Sequence, residues 1–137
     1  MKWNTALFLG IVLVLGIQTS PAQQINRGRE IYIEYCQRCH GNNGQGPAGI
    51  RNKPVWNQPH DSLVKVIAYG ARGSMRMSNG TMRSMVAAPY SDADIAAVST
   101  YSMLHIGKRT VNITEQDVVR VREQHEKNVR EKFSGSR

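Results

Sequence analysis

Two cysteines and a histidine stand together in Cys36-Gln37-Arg38-Cys39-His40, and no other cysteine occurs in the 137 residues. On a helical turn, two sulfurs three residues apart point the same way. Each can add to one vinyl group of a porphyrin while the adjoining imidazole turns toward the iron. Five residues would then supply two thioether links and one axial nitrogen. Three other chemistries use parts of this pattern. A thioredoxin-type redox pair is also C-x-x-C, but it follows a strand in a βαβ setting, whereas a helix-forming run precedes the motif here. A zinc site needs a fourth ligand from His60, His105 or His125, none of which has the second paired spacing usual for such sites. A disulfide across two intervening residues closes a short, strained loop and confers little.

The elements around this motif are helical. Gly28-Arg29-Glu30-Ile31-Tyr32-Ile33-Glu34-Tyr35 reads as a helix running straight into the cysteines, with Ile31, Tyr32 and Tyr35 able to share one side. After His40, Gly41, Gly44, Gly46, Pro47 and Gly49 break any regular element and make a loop. Asp61 or Ser62 can cap a short helix through Leu63, Val64, Val66, Ile67 and Tyr69, which Gly70 ends. Residues 71 to 90 read as a second irregular loop carrying Met75, Met77, Met82 and Met85. Ser91-Asp92-Ala93-Asp94 is a capping-box variant opening a helix whose Ile95, Val98, Tyr101, Leu104 and His105 recur at intervals of three and four. Thr114-Glu115-Gln116-Asp117 caps a last amphipathic helix with Val118, Val121, His125, Val129 and Phe133 on one side. With no strand pattern or repeat, the chain is expected to be all-α.

Length and composition set the frame. One domain is the natural expectation for 137 residues, and a large multidomain enzyme is excluded. Lys2 followed by the apolar run Ala6 to Ile17 and then Ser20-Pro21-Ala22 has the form of a secretory signal covering residues 1–22. The run is shorter than the roughly 20 residues a membrane-crossing helix needs. Cleavage after Ala22 and a mature start at Gln23 are expected, leaving no stable membrane span and placing the folded part in the periplasm. The formal charge is +8, with both signs interspersed, and the excess is shared between residues 23–107 and 108–137. Such a basic surface would steer the protein toward acidic docking surfaces on partner proteins. Nucleic acid is not expected as a target of an exported domain.

The mature chain from about Gln24 to Ile106 resembles the class I c-type cytochromes. The resemblance extends from Gly28-Arg29-Glu30-Ile31-Tyr32, similar to the first helix of that family, through Cys36 to His40 and the loop Gly41 to Gly49, to the helix Ser91 to His105. It implies a small cytochrome c fold of three to four helices wrapped around one covalent haem c, over residues 23–107, with residues 108–137 as a C-terminal basic helical extension. In the family the glycine and aromatic of the first helix pack against an aromatic of the last, a role falling here to Tyr101. A backbone carbonyl at the proline accepts a hydrogen bond from the axial histidine, a role falling to Pro47, which would fix the imidazole tautomer. A methionine from the loop before the last helix binds iron opposite the histidine. The string Met82-Arg83-Ser84-Met85-Val86-Ala87-Ala88-Pro89-Tyr90-Ser91-Asp92 is similar to that segment and makes Met82 the first choice and Met85 the second.

The haem would also fill the centre of a core poor in large aromatics. Ile31, Tyr32, Tyr35, Leu63, Ile67, Ile95, Val98 and Tyr101 are the expected shell, with Trp56 and Arg51 as candidates to reach its propionates. The implied function is one-electron transfer without catalysis, since His/Met ligation leaves no open position on the iron. Two other functions use the same residues. The chain could be the electron-accepting haem subunit of a periplasmic dehydrogenase or oxidase complex, as an extension similar to Thr110 to Arg122 would allow. It could instead be a haem sensor or peroxidase with an open sixth site.

Overall fold

The computed structural model describes residues 20–70, 84–86 and 88–135. The signal segment up to Thr19 and the residues Met75, Met77 and Met82 lie outside them. The described residues are helical and contain no strand. In chain order they form α1 (Pro21–Ile31), a π-helical turn (Tyr32–Cys36), α2 (Gln37–His40), a 3₁₀ turn (Pro54–Asn57), α3 (His60–Tyr69), α4 (Asp92–His105) and α5 (Glu115–Ser134). The first three run on without a break, so four helical bodies make the fold.

Helix α1 begins earlier than the hydrophobic period indicates. Ser20 caps it, accepting from the Gln23 amide at 3.2 Å while the Gln23 side chain accepts from the Ser20 amide at 2.9 Å, and Pro21 sits at the first helical position. Cleavage after Ala22 would remove both residues and the cap with them. Helix α3 departs from expectation in a different way. Neither Asp61 nor Ser62 caps it: the helix starts at His60 after Pro59, with no side-chain cap, and Asp61 lies in its first turn beside Arg120 of α5. Proline fixes the entry geometry that a capping side chain would otherwise set. Its other end follows the sequence, at Gly70 with φ +77°.

Helix α4 is the central element, packed by α1, α3 and α5. Every residue from Ile95 to Met103 is buried. The polar members are satisfied locally: the Ser99 hydroxyl donates to the Ile95 carbonyl at 2.7 Å, and the Thr100 hydroxyl accepts from the Ile113 amide at 3.1 Å. The expected box at its start is present, with Ser91 and Asp94 capping each other.

The crossing of α1 and α4 is as the resemblance implies. Gly28 lies so close to α4 that a methyl group there would sit 2.6 Å from the Ala97 carbonyl carbon and 2.8 Å from the Tyr101 Cβ. One turn on, the rings of Tyr32 and Tyr101 pack at 5.5 Å and 47°. A surface ion pair, Arg27 to Asp94 at 2.7 Å, flanks the crossing. Of the expected core, Ile31, Tyr32, Leu63, Ile67, Ile95, Val98 and Tyr101 are buried and Tyr35 packs partly exposed against them. Trp56, Val64, Ala68, Met85, Ala96, Met103, Ile106, Ile113, Val118 and Val121 complete the cluster among the described residues.

The C-terminal helix is built in two halves. Its first half docks on α3 and α4, burying Val118 and Val121 and stacking His125 on Tyr69 at 3.8 Å between ring centres. Beyond His125 every described residue is exposed, including Val129 and Phe133 on the stripe that the sequence assigns to one side. Among the described residues no helix is long and apolar enough to cross a membrane.

Candidate functional site

The site residues sit at the end of the first helical rod, and the rod changes winding to present them. From Tyr32 to Cys36 the backbone widens to a π turn, then tightens to α-helix through His40. Such wide turns concentrate at functional positions because they re-aim the side chains that follow. Cys36 ends the turn, Cys39 follows on α2, and His40 is the last helical residue. Cys36 is partly buried, Cys39 exposed, and both thiols are free.

The loop after His40 folds back beneath the helix end, and main-chain hydrogen bonds hold its turn there. The Gly46 amide donates to the His40 carbonyl at 2.8 Å and the Ala48 amide to the Cys39 carbonyl at 2.9 Å, satisfying acceptors a helix terminus leaves open. The Ile50 and Arg51 amides both reach the Gly44 carbonyl, closing a second small ring. Two glycines make this possible. Gly41 leaves the helix at φ +72°, a conformation costly for any residue with a Cβ. A methyl group on Gly46 would fall 2.6 Å from the His40 carbonyl carbon and 2.7 Å from the Cys39 oxygen.

That loop fixes the imidazole. His40 is buried, and its Nδ1 lies 2.7 Å from the carbonyl oxygen of Ala48. An Nδ1–H donating there leaves Nε2 deprotonated, with its lone pair free to ligate a metal. The acceptor is therefore Ala48 and not Pro47. Both the Ala48 amide and its carbonyl turn in toward the helix end, and proline, lacking an N–H, cannot make the first of these bonds. Tyr32 braces the same corner, its hydroxyl donating to the Gly41 carbonyl at 2.8 Å, and burial pushes its phenol well above the ordinary range.

The thiols carry their own evidence. Burial, reinforced by the neighbouring Cys39, pushes the Cys36 thiol up to about 12. A redox-exchange pair needs the reverse, a thiol acidified toward neutral pH. Together with the absence of any strand among the described residues, this sets the thioredoxin chemistry aside. Nor do the other histidines converge on the cysteines. His60 faces Asp61 and Asp117, His105 packs on Tyr101 at 4.3 Å and His125 on Tyr69. Among the described residues no group of three or more His, Cys, Asp or Glu side chains comes together to hold a metal ion.

Of the four candidate methionines, Met85, the second choice, is the one among the described residues. It is buried and packs within the core cluster. Its segment runs back along the end of α3: the Met85 amide donates to the Ile67 carbonyl at 3.2 Å, the Val86 amide to Ala68 at 3.1 Å, and the Ser84 hydroxyl to Ala68 at 2.5 Å. The Tyr35 ring meets Tyr90 edge-on at 5.5 Å, joining the returning segment to the π turn. Of the residues considered for propionates, Trp56 is placed otherwise. It is buried, and its indole N–H donates to the Ile50 carbonyl at 2.6 Å. Arg51 is exposed, lining an open hollow of about 300 Å³ with Lys53.

The residues present fit a covalently held haem. Two free thiols one helical turn apart, and an imidazole oriented by a backbone carbonyl, are the donor set such a group requires. The comparison with known families agrees. The family model described as cytochrome C oxidase, cbb3-type, subunit III, matches residues 23–101, well over half of the chain. No curated protein matches. The chain belongs to this family, and the matched region is a c-type cytochrome domain whose general role is haem-based electron transfer.

Proposed function

From that membership we propose that this chain is a periplasmic one-electron carrier with a single haem c, attached through Cys36 and Cys39 and ligated axially by His40 and a methionine. Met82 is the first choice for that methionine and Met85 the second. The haem, when bound, supplies a metal centre that alternates between Fe(II) and Fe(III). The protein supplies everything else. Cys36 and Cys39 fix the group to a helix end, so that it cannot dissociate when the fold opens. His40 presents Nε2 because its Nδ1 proton is held by Ala48, and the hydrogen bond enriches the ring as a donor. A methionine, as the second protein ligand, would keep small molecules off the metal. The observation carrying this reading is the 2.7 Å bond from His40 Nδ1 to Ala48, which gives the histidine between cysteines and loop the tautomer an axial ligand needs.

A second reading is favoured by the matched family's description. The chain would serve as the electron-accepting haem subunit of an oxidase complex, its basic surface meeting acidic faces of the other subunits. The two readings share the site and differ in partners. Secretion in a host with haem-ligation machinery tests both at once. The protein is expected to be coloured and to exceed its polypeptide mass by one haem, and replacing Cys36 and Cys39 by serine is expected to abolish the added mass. Colourless secreted material at polypeptide mass would overturn both. Co-purification from the native membrane with a larger haem protein would select the subunit reading.

A further inference from the structure

The fold sorts charge in a way that chain order hides. All ten acidic side chains lie among the described residues, and none falls in residues 35–60 or 103–114. Those two segments carry Arg38, Arg51, Lys53, Lys108 and Arg109, and among the described residues no ion pair joins any of the five to a carboxylate. The other described residues hold eight Lys and Arg against the ten acids, and within α5 the two signs are equal in number. Of the described part of the C-terminal extension, the positive excess is therefore Lys108 and Arg109, which precede its helix.

The two acid-free segments pack into one surface. The Arg109 guanidinium donates to the Trp56 and Gln58 carbonyls at 2.8 and 2.9 Å. A methyl group on Gly107 would fall 2.9 Å from the Trp56 ring, and one on Gly44 would fall 2.8 Å from the Ile106 side chain. Lys108 is exposed and has φ +56°, a conformation that favours glycine or asparagine, so the turn does not account for a lysine there. Arg51 and Lys53, also exposed, line the open hollow of about 300 Å³ with Gln45 and Asn52. The surface adjoins the thiols: Arg38 stands between them, and the hollow is cut in the loop bonded to the Cys39 and His40 carbonyls.

We propose that this acid-free end, built from the 41–58 loop and the Gly107–Arg109 turn, is where an acidic face of a redox-partner protein docks, with a partner carboxylate entering the hollow between Arg51 and Lys53. This rests on the electron-carrier reading above and gives that carrier its partner-facing side. Cations without an internal carboxylate keep their full attraction for an external one, whereas those of α1 and α5 are largely met by their own acids. The Arg51 fork suits a carboxylate, and the Gln45 and Asn52 amides offer further donors. A protein face fits better than a lipid surface, because lipid binding draws on exposed apolar side chains as well as charge. The large exposed ones among the described residues, Ile33, Val119, Val129 and Phe133, all lie outside these segments.

The test moves the same charge at two places in the secreted haem protein and reads association with immobilised poly-L-glutamate at low and high salt. Arg51→Glu with Lys53→Glu is expected to slow association about tenfold and to flatten its salt dependence. Lys108→Asn, which removes the charge while suiting the turn, should have a smaller effect of the same sign. Arg130→Glu with Lys132→Glu makes the equal charge change on α5 and is expected to leave association within about twofold of the wild type. Equal losses in the two double variants would show a diffuse charge effect and overturn the face. Tighter binding to phosphatidylglycerol vesicles than to poly-L-glutamate, lost in the Arg51 and Lys53 variant, would assign the end to a membrane and overturn the protein partner. A salt-sensitive dimer of the wild type in sedimentation, abolished by the same variant, would make the occupant a second copy. A colourless wild type at polypeptide mass overturns the carrier reading and the redox role of the face with it; a coloured one with equal losses overturns the face alone.

Discussion

The loop from Gly41 to Arg51 and the helix α5 are both appended to the helical frame, and they are held in opposite ways. The loop is fixed by main-chain hydrogen bonds, by glycines that let backbone touch backbone, and by three side chains, Tyr32, His40 and Trp56, that bond to its carbonyls. Helix α5 is fixed by side chains: two buried valines, a ring stack and ion pairs from Arg120 to Asp61 and from Arg122 to Asp92. The first kind of attachment tolerates little change at the glycines and is insensitive to charge. The second is graded, so that each contact can be weakened separately. An attachment that must hold one imidazole in place uses the first kind.

The sharpest way to break this contrast is at Gly46. Gly46→Ala places a methyl group against the Cys39 and His40 carbonyls and should destabilise the domain by about 3 kcal/mol, with a low yield of haem-loaded protein in secretion assays. A smaller effect is expected on the other side. Val118→Ala removes two methyl groups from a fully buried position of α5 and should cost about 2 kcal/mol in denaturant unfolding while leaving the haem spectrum unchanged. Were Val118→Ala to alter the spectrum as Gly46→Ala does, the two attachments would not be distinct.

The smallest effect separates them by pH. Burial pushes the Asp117 carboxyl upward, but hydrogen bonds from the Thr114 amide and hydroxyl, and the Arg120 guanidinium, outweigh it and hold the group at about 2. A carboxyl acidified on folding contributes stability that is complete above its unfolded value near 3.8 and lost as pH falls through about 2. Arg120 of the same helix and the His60 imidazole of α3 face it, and Asp61 of α3 shares Arg120, so protonating Asp117 weakens the start of α5 and its contact with α3. Between pH 4 and 2 the docking of α5 should lose about 1 kcal/mol, allowing for solvent screening. Amide exchange is expected to rise in residues 115 to 125 before it rises in the loop at Gly46 and Ala48. The reverse order would contradict the assignment.

Much of this arrangement was legible in the residues. Cys36, Cys39 and His40 declare themselves because few chemistries use that spacing, and the caps at Ser91 and Thr114 are local signals that packing did not override. The Gly28–Tyr32–Tyr101 crossing followed from the resemblance and is present. What could not be read was whatever depends on distant chain. The carbonyl that meets His40 belongs to Ala48, one residue from the expected Pro47, because loop register is decided by which amides reach the helix end. The cap of α3 failed because Asp61 has an arginine from α5 as its partner. Trp56 is buried, with its indole N–H on the Ile50 carbonyl of its own loop, a pairing that its residue type alone does not reveal. Helical period placed Val129 and Phe133 on the face of Val118, yet period does not say where the neighbouring helices end.

The wide turn at Tyr32–Cys36 bears on how this chain tolerates insertion and deletion. A π turn spends five residues where α-helix would use about four, so it holds one residue more than the rod requires. Ile33 and Glu34 within it are both exposed, so the extra residue costs the core nothing. A relative lacking one residue between Ile31 and Cys36 would wind as plain α-helix and still bring its two thiols and imidazole to the same loop. The count of residues from Gly28 to Cys36 is thus free to vary by one, while the count from Cys36 to His40 is not.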